Sequence, residues 1–289
     1  MDLTILPVKS DVIFRIFFAD ERNIEFLTDF LKSALSIPAE EYDEVVIVDP
    51  HLIREYPKDK LGIIDVKLKT VSGKTVHIEI QVAPLPHMRA RITYYDSKMI
   101  TEQIGKSEKY EDIKQVISIV ITENEFINNS PPYHHRFTMY DSINGVELTD
   151  IVEVHTLELC KIKDEDDSDR LNYWMRFIKA EGEIELKAVA ERDPLIKKAV
   201  ARLMELSADE SARMLYDLRE KERMDIEDML DDVRNKERMD REDREEQARK
   251  DKALEIARNL IEMNIAIEQI IKATGLTREE IEKLRDADK

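Results

Sequence analysis

Two segments of strict apolar-polar alternation, residues 64–71 and 75–82, flank Ser72-Gly73-Lys74, and this pairing constrains the chain more than any other feature. In the first, Val66 and Leu68 point one way while Asp65, Lys67 and Lys69 point the other; in the second, Val76, Ile78, Ile80 and Val82 oppose Thr75, His77, Glu79 and Gln81. Period-2 alternation of this kind predicts two half-buried strands. The glycine between them suits a short hairpin connection. Both apolar sets must face one core, so cross-strand partners need position numbers with an even sum, which requires an odd-length loop and brings Asp65 close to Glu79 and Gln81.

Two carboxylates a few ångströms apart repel one another, and a hard divalent cation held by oxygen ligands relieves the repulsion. Mg²⁺ suits such a site, with Mn²⁺ as a substitute. It could polarise a phosphoryl oxygen and activate water for phosphodiester cleavage. Alternation by itself is also what an ordinary solvated strand face shows, and the residues alone leave both readings open.

The net charge of −18, carried by both halves of the chain, opposes nucleic-acid binding. Local field matters more than the sum, and a bound cation offsets acidic ligands. Arg89, Arg91 and Lys98, on a helix expected over residues 87–105, are candidate DNA contacts or ordinary solvated charges. The one cysteine, Cys160, excludes an intrachain disulfide and a cysteine-based zinc site. No apolar run approaches the roughly 20 residues needed to cross a bilayer, and the first residues do not read as a secretory signal, so a cytoplasmic protein with no membrane partner is expected.

Along the chain, residues 22–36 have helical spacing, 45–48 and 116–121 read as apolar strands, 122–150 as an irregular crossing and 151–159 as a further strand. Beyond about residue 165 only helical patterns remain. Trp174 and Phe177 are expected to anchor residues 168–216 on the core. The following charged segment contains Lys-Glu-Arg-Met-Asp at 221–225 and again at 236–240, close to four helical turns apart. It is expected to form a solvated helix or weak coiled coil serving as a spacer. From Ala253 amphipathicity returns; Gly275 ends one helix and Thr277-Arg-Glu-Glu280 caps the next, in the manner of a helix-turn-helix. Glu279, Glu280 and Glu282 crowd that last helix, which favours self-association or docking over base reading. The expected domains are 1–165, an α/β core; 166–216, a helical extension packed on it; 217–252, the spacer; and 253–289, the helix-turn-helix-like element. His134-His135 is expected to be a loop pair, since neighbours on a strand diverge and nothing completes a ligand set. Neither a Gly-rich phosphate loop nor a G-x-S-x-G elbow is present, which makes P-loop and serine hydrolases poor candidates.

Gly62-Ile-Ile-Asp65-Val followed by Glu79-Ile-Gln81 resembles the Asp…Glu-x-Lys core of the PD-(D/E)XK nuclease fold, in the version with glutamine at the lysine position. Asp11-Val-Ile-Phe14-Arg15-Ile-Phe17, then Arg91-Ile-Thr-Tyr94-Tyr95-Asp-Ser97-Lys98, then Tyr110 before the apolar run, resemble the recombination-promoting nuclease (Rpn) and transposase-like family in the same order. His155-Thr-Leu-Glu158-Leu-Cys-Lys161 stands where that family has Glu-Leu-Pro-Lys, and the tail is similar too. The resemblance implies an α/β fold, a mixed sheet flanked by helices, followed by an all-helical C-terminal tail. It implies that Asp65 and Glu79 are metal ligands with the Ile80 carbonyl as a further oxygen, and that Asp11 and Arg15 support the site or touch the scissile phosphate. Gln81 departs from the superfamily lysine: a neutral amide can position water but cannot serve as a general base. The expected function is a Mg²⁺-dependent DNA endonuclease, with a role in DNA recombination, acting as a homo-oligomer through the C-terminal helices. The alternative is a catalytically weak or inactive nuclease-fold protein serving as an oligomeric interaction module.

Overall fold

A computed structural model of the chain describes residues 4–50, 65–82, 87–105, 109–163 and 169–287. Ile64, expected to open the first strand, and the Gly62-Ile-Ile part of the motif lie outside these residues. Contacts divide the chain into two compact units, Met1–Arg219 and Glu220–Lys289.

The first unit is built on a six-stranded sheet in the order β1-β2-β3-β4-β6-β5, with β1 Val46–Ile47, β2 Val66–Lys69, β3 Thr75–Gln81, β4 Val116–Thr122, β5 His134–Asp141 and β6 Val146–Glu158. β1, β2 and β3 are antiparallel neighbours, β3, β4 and β6 run parallel, and β5 returns antiparallel on the edge. The β2–β3 register pairs Val66 with Ile78 and Lys69 with Thr75, the even-sum register that the apolar pattern demands. Gly73 takes φ +85° in the connection, a conformation that costs a glycine little. β4, with the sequence VISIVIT, is buried along its whole length, as expected for the β-branched central strand of a parallel sheet covered on both sides.

Alternation divides the strand side chains between two cores. Ile78, Ile80, Ile117, Ile119, Ile121 and Leu157 join one cluster with α1 (Asp11–Phe18), α2 (Ile24–Ala34), α4 (Arg170–Lys179), α5 (Glu183–Ala190) and α6 (Pro194–Ala208). Val116 and Val120 face the other way, toward Met88, Ile92, Tyr95 and Met99 of α3 (Met88–Thr101). Trp174 and Phe177 are fully buried among Phe17, Phe18, Phe26 and Phe30. The Trp174 indole N–H donates to Asp29 Oδ2 at 2.7 Å, which satisfies its one polar atom. Core packing is therefore the role of the tryptophan, and burial of a side chain of this size stabilises the fold by about 1.5–3 kcal/mol.

Residues 122–150 are not an irregular crossing. Most of their second half forms β5 and the start of β6, joined by a turn in which the Asp141 carboxylate accepts from the Ile143 N–H and Gly145 takes φ +75°. The alternation that reveals a strand comes from one face being buried, and here Phe137, Met139, Tyr140, Val146 and Leu148 are all exposed.

In the second unit the end of α7 (Glu210–Glu262) packs with α8 (Ile267–Thr274) and α9 (Arg278–Ala287) around Ala257, Ile270, Leu276 and Ile281. Gly275 caps α8 at φ +70°, and the Thr277 N–H donates to Glu280 Oε2 at 2.8 Å. Both devices match their sequence signatures.

Candidate active site

At the sheet end where β2 begins and β3 finishes, the acids come together. Asp65 lies one residue before the Val66–Ile78 pair, and its Oδ2 accepts the Ile80 N–H at 2.8 Å. Glu79 is only 4% exposed. Its Oε1 accepts a hydrogen bond from Arg91 Nη2, and its Oε2 is buried without a hydrogen-bond partner. Arg91, on α3, is itself held: its Nε donates to the Tyr95 hydroxyl at 2.9 Å, and its guanidinium lies over the Tyr95 ring, 5.1 Å from the centroid. Gln81 follows on the same face of β3, half-buried, its carbonyl accepting the Glu123 N–H at 3.1 Å.

Electrostatics mark this pair out. Burial pushes the Asp65 carboxyl above the usual carboxylate range, overriding the Ile80 N–H that favours its ionised form. Burial, joined by the charge of Asp65, raises Glu79 as well, with Arg91 acting in the opposite sense. Two such groups resist ionising together unless a positive charge arrives.

Asp11 opens α1, and its negative charge contributes to the rise at both acids, while the charge of Arg15, exposed one turn later, acts against it at Asp65. Asp11 Oδ2 accepts from Arg219 Nε at 2.8 Å and Nη2 at 2.5 Å. Arg219 escaped sequence reasoning, because nothing local links residues 208 positions apart. Of the three basic residues on α3, Arg91 is the one that meets Glu79 in the contacts of the described residues. Arg89 donates instead to the Phe126 carbonyl at 3.0 Å and lies over that ring, and Lys98 sits two turns beyond Arg91.

Beneath the acids, on the face of β3 that carries Glu79, a buried polar trio ties the sheet to α3. His77 Nε2 lies 3.0 Å from Asp96 Oδ1, and Ser118 hydrogen-bonds to both. This trio was not legible in the sequence, since its members come from three elements. His134 and His135 stand on strand β5, not in a loop, and diverge as strand neighbours do. His134 Nε2 meets His155 Nδ1 at 2.7 Å, and His135 Nε2 meets Ser130 Oγ at 2.6 Å. His155 continues to Glu153 at 2.6 Å, and burial pulls His134 down to about 4.

Could Asp65 and Glu79 hold a cation? Among the described residues no group of three or more His, Cys, Asp or Glu side chains converges into a metal site. The pair nevertheless fits a hard cation: both groups supply oxygen, both are disfavoured as a doubly charged pair without one, and Glu79 Oε2 is buried without a hydrogen-bond partner.

A mixed sheet with helices on both faces and acids at the start of one hairpin strand and the end of the next defines the PD-(D/E)XK nuclease fold. The chain belongs to the PD-(D/E)XK nuclease family transposase group, whose model matches residues 8–233. Residues 250–286 match a second model, the C-terminal helix-turn-helix domain of the Rpn/YhgA-like nuclease family. No curated protein and no solved structure matches the chain significantly. No helix among the described residues is long and apolar enough to cross a membrane.

Proposed function

We propose that this chain is a divalent-metal-dependent DNA endonuclease, using Mg²⁺ with Mn²⁺ as a substitute, and that it hydrolyses phosphodiester bonds in support of DNA recombination. The observation that carries the reading is the unsatisfied, buried Oε2 of Glu79 beside Asp65. The Asp65 and Glu79 carboxylates and the Ile80 carbonyl would hold the cation. When bound, such an ion offsets phosphate charge and lowers the pKa of nearby water.

The protein's own groups do the rest. Gln81 orients the attacking water through its amide and leaves the proton to others, because it has no basic atom. Arg15 stands exposed beside the acids and meets a non-bridging phosphate oxygen. Arg91 is the nearest cation to Glu79, and its planar fork suits phosphate as well as carboxylate. Asp11 holds Arg219 and sets the field at Asp65. Arg89 and Lys98 extend the positive edge of α3 toward flanking backbone phosphates. Water oxygen bonds to phosphorus, one P–O ester bond breaks, and the departing oxygen takes a proton.

The match to a helix-turn-helix domain supports a DNA partner, while Glu279, Glu280 and Glu282 on its last helix favour self-association or docking over base reading. A homo-oligomer acting on DNA in the cytoplasm completes the reading. Purified protein is expected to nick plasmid DNA with Mg²⁺ or Mn²⁺, and Asp65→Ala to abolish it; undiminished nicking by that variant would end the proposal. Gln81 in place of lysine favours the second reading, an inactive nuclease-fold module. Calorimetry with Mn²⁺ separates the two, since the module would show no binding heat that depends on Glu79.

A further inference from the structure

α3 meets the sheet through two apolar patches with a polar one between them. Met88 and Ile92 pack with Val120 toward the start of the helix, and Tyr95 and Met99 pack with Val116 toward its end. Between the patches His77 of β3, Ser118 of β4 and Asp96 of α3 come together, only 1%, 0% and 3% exposed. The β3–β4 register pairs His77 with Ser118 and Glu79 with Val120, so the trio lies one step along the sheet face that carries Glu79. His77 Nε2 is 3.0 Å from Asp96 Oδ1, Ser118 hydrogen-bonds to both, and His77 Nδ1 is buried without a hydrogen-bond partner among the described residues. Replacing such a buried network by apolar groups of the same volume is often neutral or stabilising, so stability does not account for it. Direction does. Apolar contact tolerates a helix that slides or turns, whereas hydrogen bonds hold it in one place.

The place so fixed matters at Glu79. From Arg91 to Asp96 along α3, the polar contacts on β3 step back from Glu79 to His77, so helix and strand run in opposite senses. Five residues of helix advance about 7.5 Å, and two residues of strand about 6.6 Å, so the two contacts match in spacing. A slip of one residue would shift the helix by about 1.5 Å and turn Arg91 by about 100°, away from Glu79. Asp96 also directly follows Tyr95, whose hydroxyl accepts from Arg91 Nε at 2.9 Å and whose ring lies under the guanidinium. Lys67 reaches Glu102, just past the end of α3, at 3.3 Å, but through two long side chains that can follow a slipped helix.

We propose that His77, Asp96 and Ser118 are positioning residues of the acid site: they lock α3 in register with β3, so that Arg91 engages Glu79 Oε1 and Oε2 is left for a cation. The proposal rests on the cation reading of Asp65 and Glu79, and its first test needs no metal. In two-dimensional NMR of the full chain, the Arg91 Nε–H should give a signal protected from exchange with water, and Asp96→Ala should abolish that protection while thermal unfolding stays cooperative. The triple variant His77→Phe, Asp96→Leu and Ser118→Ala fills the same space with apolar groups, keeps the test available if Asp96→Ala unfolds, and should show the same loss. Undiminished Arg91 protection in the folded variant overturns the lock. The second test is calorimetry with Mn²⁺. Asp96→Ala should weaken binding roughly tenfold or more, the scale on which supporting groups act on metal sites, and in an Arg91→Met background the same substitution should change the affinity by less than about twofold. Equal weakening in both backgrounds overturns the route through Arg91. A wild type that takes up no Mn²⁺ ends the cation reading instead, and the Arg91 signal alone then decides the lock.

Discussion

The hairpin acids and the α7 acids are the same residue types in opposite situations. Asp65 and Glu79 are desolvated, Asp65 against the Ile80 N–H and Glu79 against the Arg91 guanidinium and the Asp65 backbone, and Glu79 Oε2 is left without a hydrogen-bond partner. On α7 the acids are exposed and lean on arginines three or four residues away, as Arg223 does on Glu220 and Glu227 and Arg241 does on Glu245. A net charge of −18 counts the two sets equally. Chemistry distinguishes them: the solvated set is screened and costs nothing to ionise, whereas the buried pair is unstable as two anions and so has a reason to recruit a cation. Acidity therefore does not argue against phosphate chemistry when most of it sits in solvated helix.

The comparison predicts the largest effect at the buried pair. Asp65→Ala or Glu79→Ala should lower nicking by at least about a hundredfold, the scale of losing one group that stabilises developing charge, whereas Glu245→Ala should leave it unchanged; equal losses from both regions would break the contrast. Next in size is the core behind the site. Phe177→Ala should cost about 3–5 kcal/mol in denaturant unfolding, against under about 1 kcal/mol for removing the Arg234–Asp231 pair.

The third is a pH test. A carboxyl whose folded-state pKa is raised keeps its proton when the unfolded chain, near the ordinary glutamate value of about 4.3, has lost it. That contribution to stability is complete at acid pH and disappears as pH rises toward the raised folded value. Metal-free protein in chelator should therefore lose thermal stability between about pH 4.3 and mildly alkaline pH, and Glu79→Gln should flatten that slope. Adding Mn²⁺ should restore stability at the alkaline end, by about 2.7 kcal/mol at a hundred times its dissociation constant. Absence of any metal-dependent shift in melting temperature would count against cation binding by this pair. The smallest effect is expected at Arg91→Met: loss of the cation raises Glu79 further, so the loss of stability should continue to higher pH while the fold persists.

How much of this was readable from residues alone varies by element. The even-sum register of β2 and β3 followed from Val66, Leu68, Val76, Ile78 and Ile80, because a one-residue slip would turn all of them outward. The Gly275 cap and the Thr277–Glu280 box were equally local. β5 was missed because Phe137, Met139 and Tyr140 stay in solvent on a sheet edge, where no buried face imposes alternation. The same exposure hides the strand position of His134.

By itself the sequence determined which side chains alternate, where helices start and stop, and that Asp65 and Glu79 share a strand face, since these depend on periodicity and backbone preference within a few residues. Only the tertiary structure decided that Arg91 reaches Glu79, that Arg219 reaches Asp11, that His77, Asp96 and Ser118 meet beneath the site, and that one oxygen of Glu79 is left over. Those facts depend on which helix covers which face and on how much water is expelled there. Desolvation is set by atoms distant in the chain, and it is what turns a pair of ordinary acids into a candidate active site.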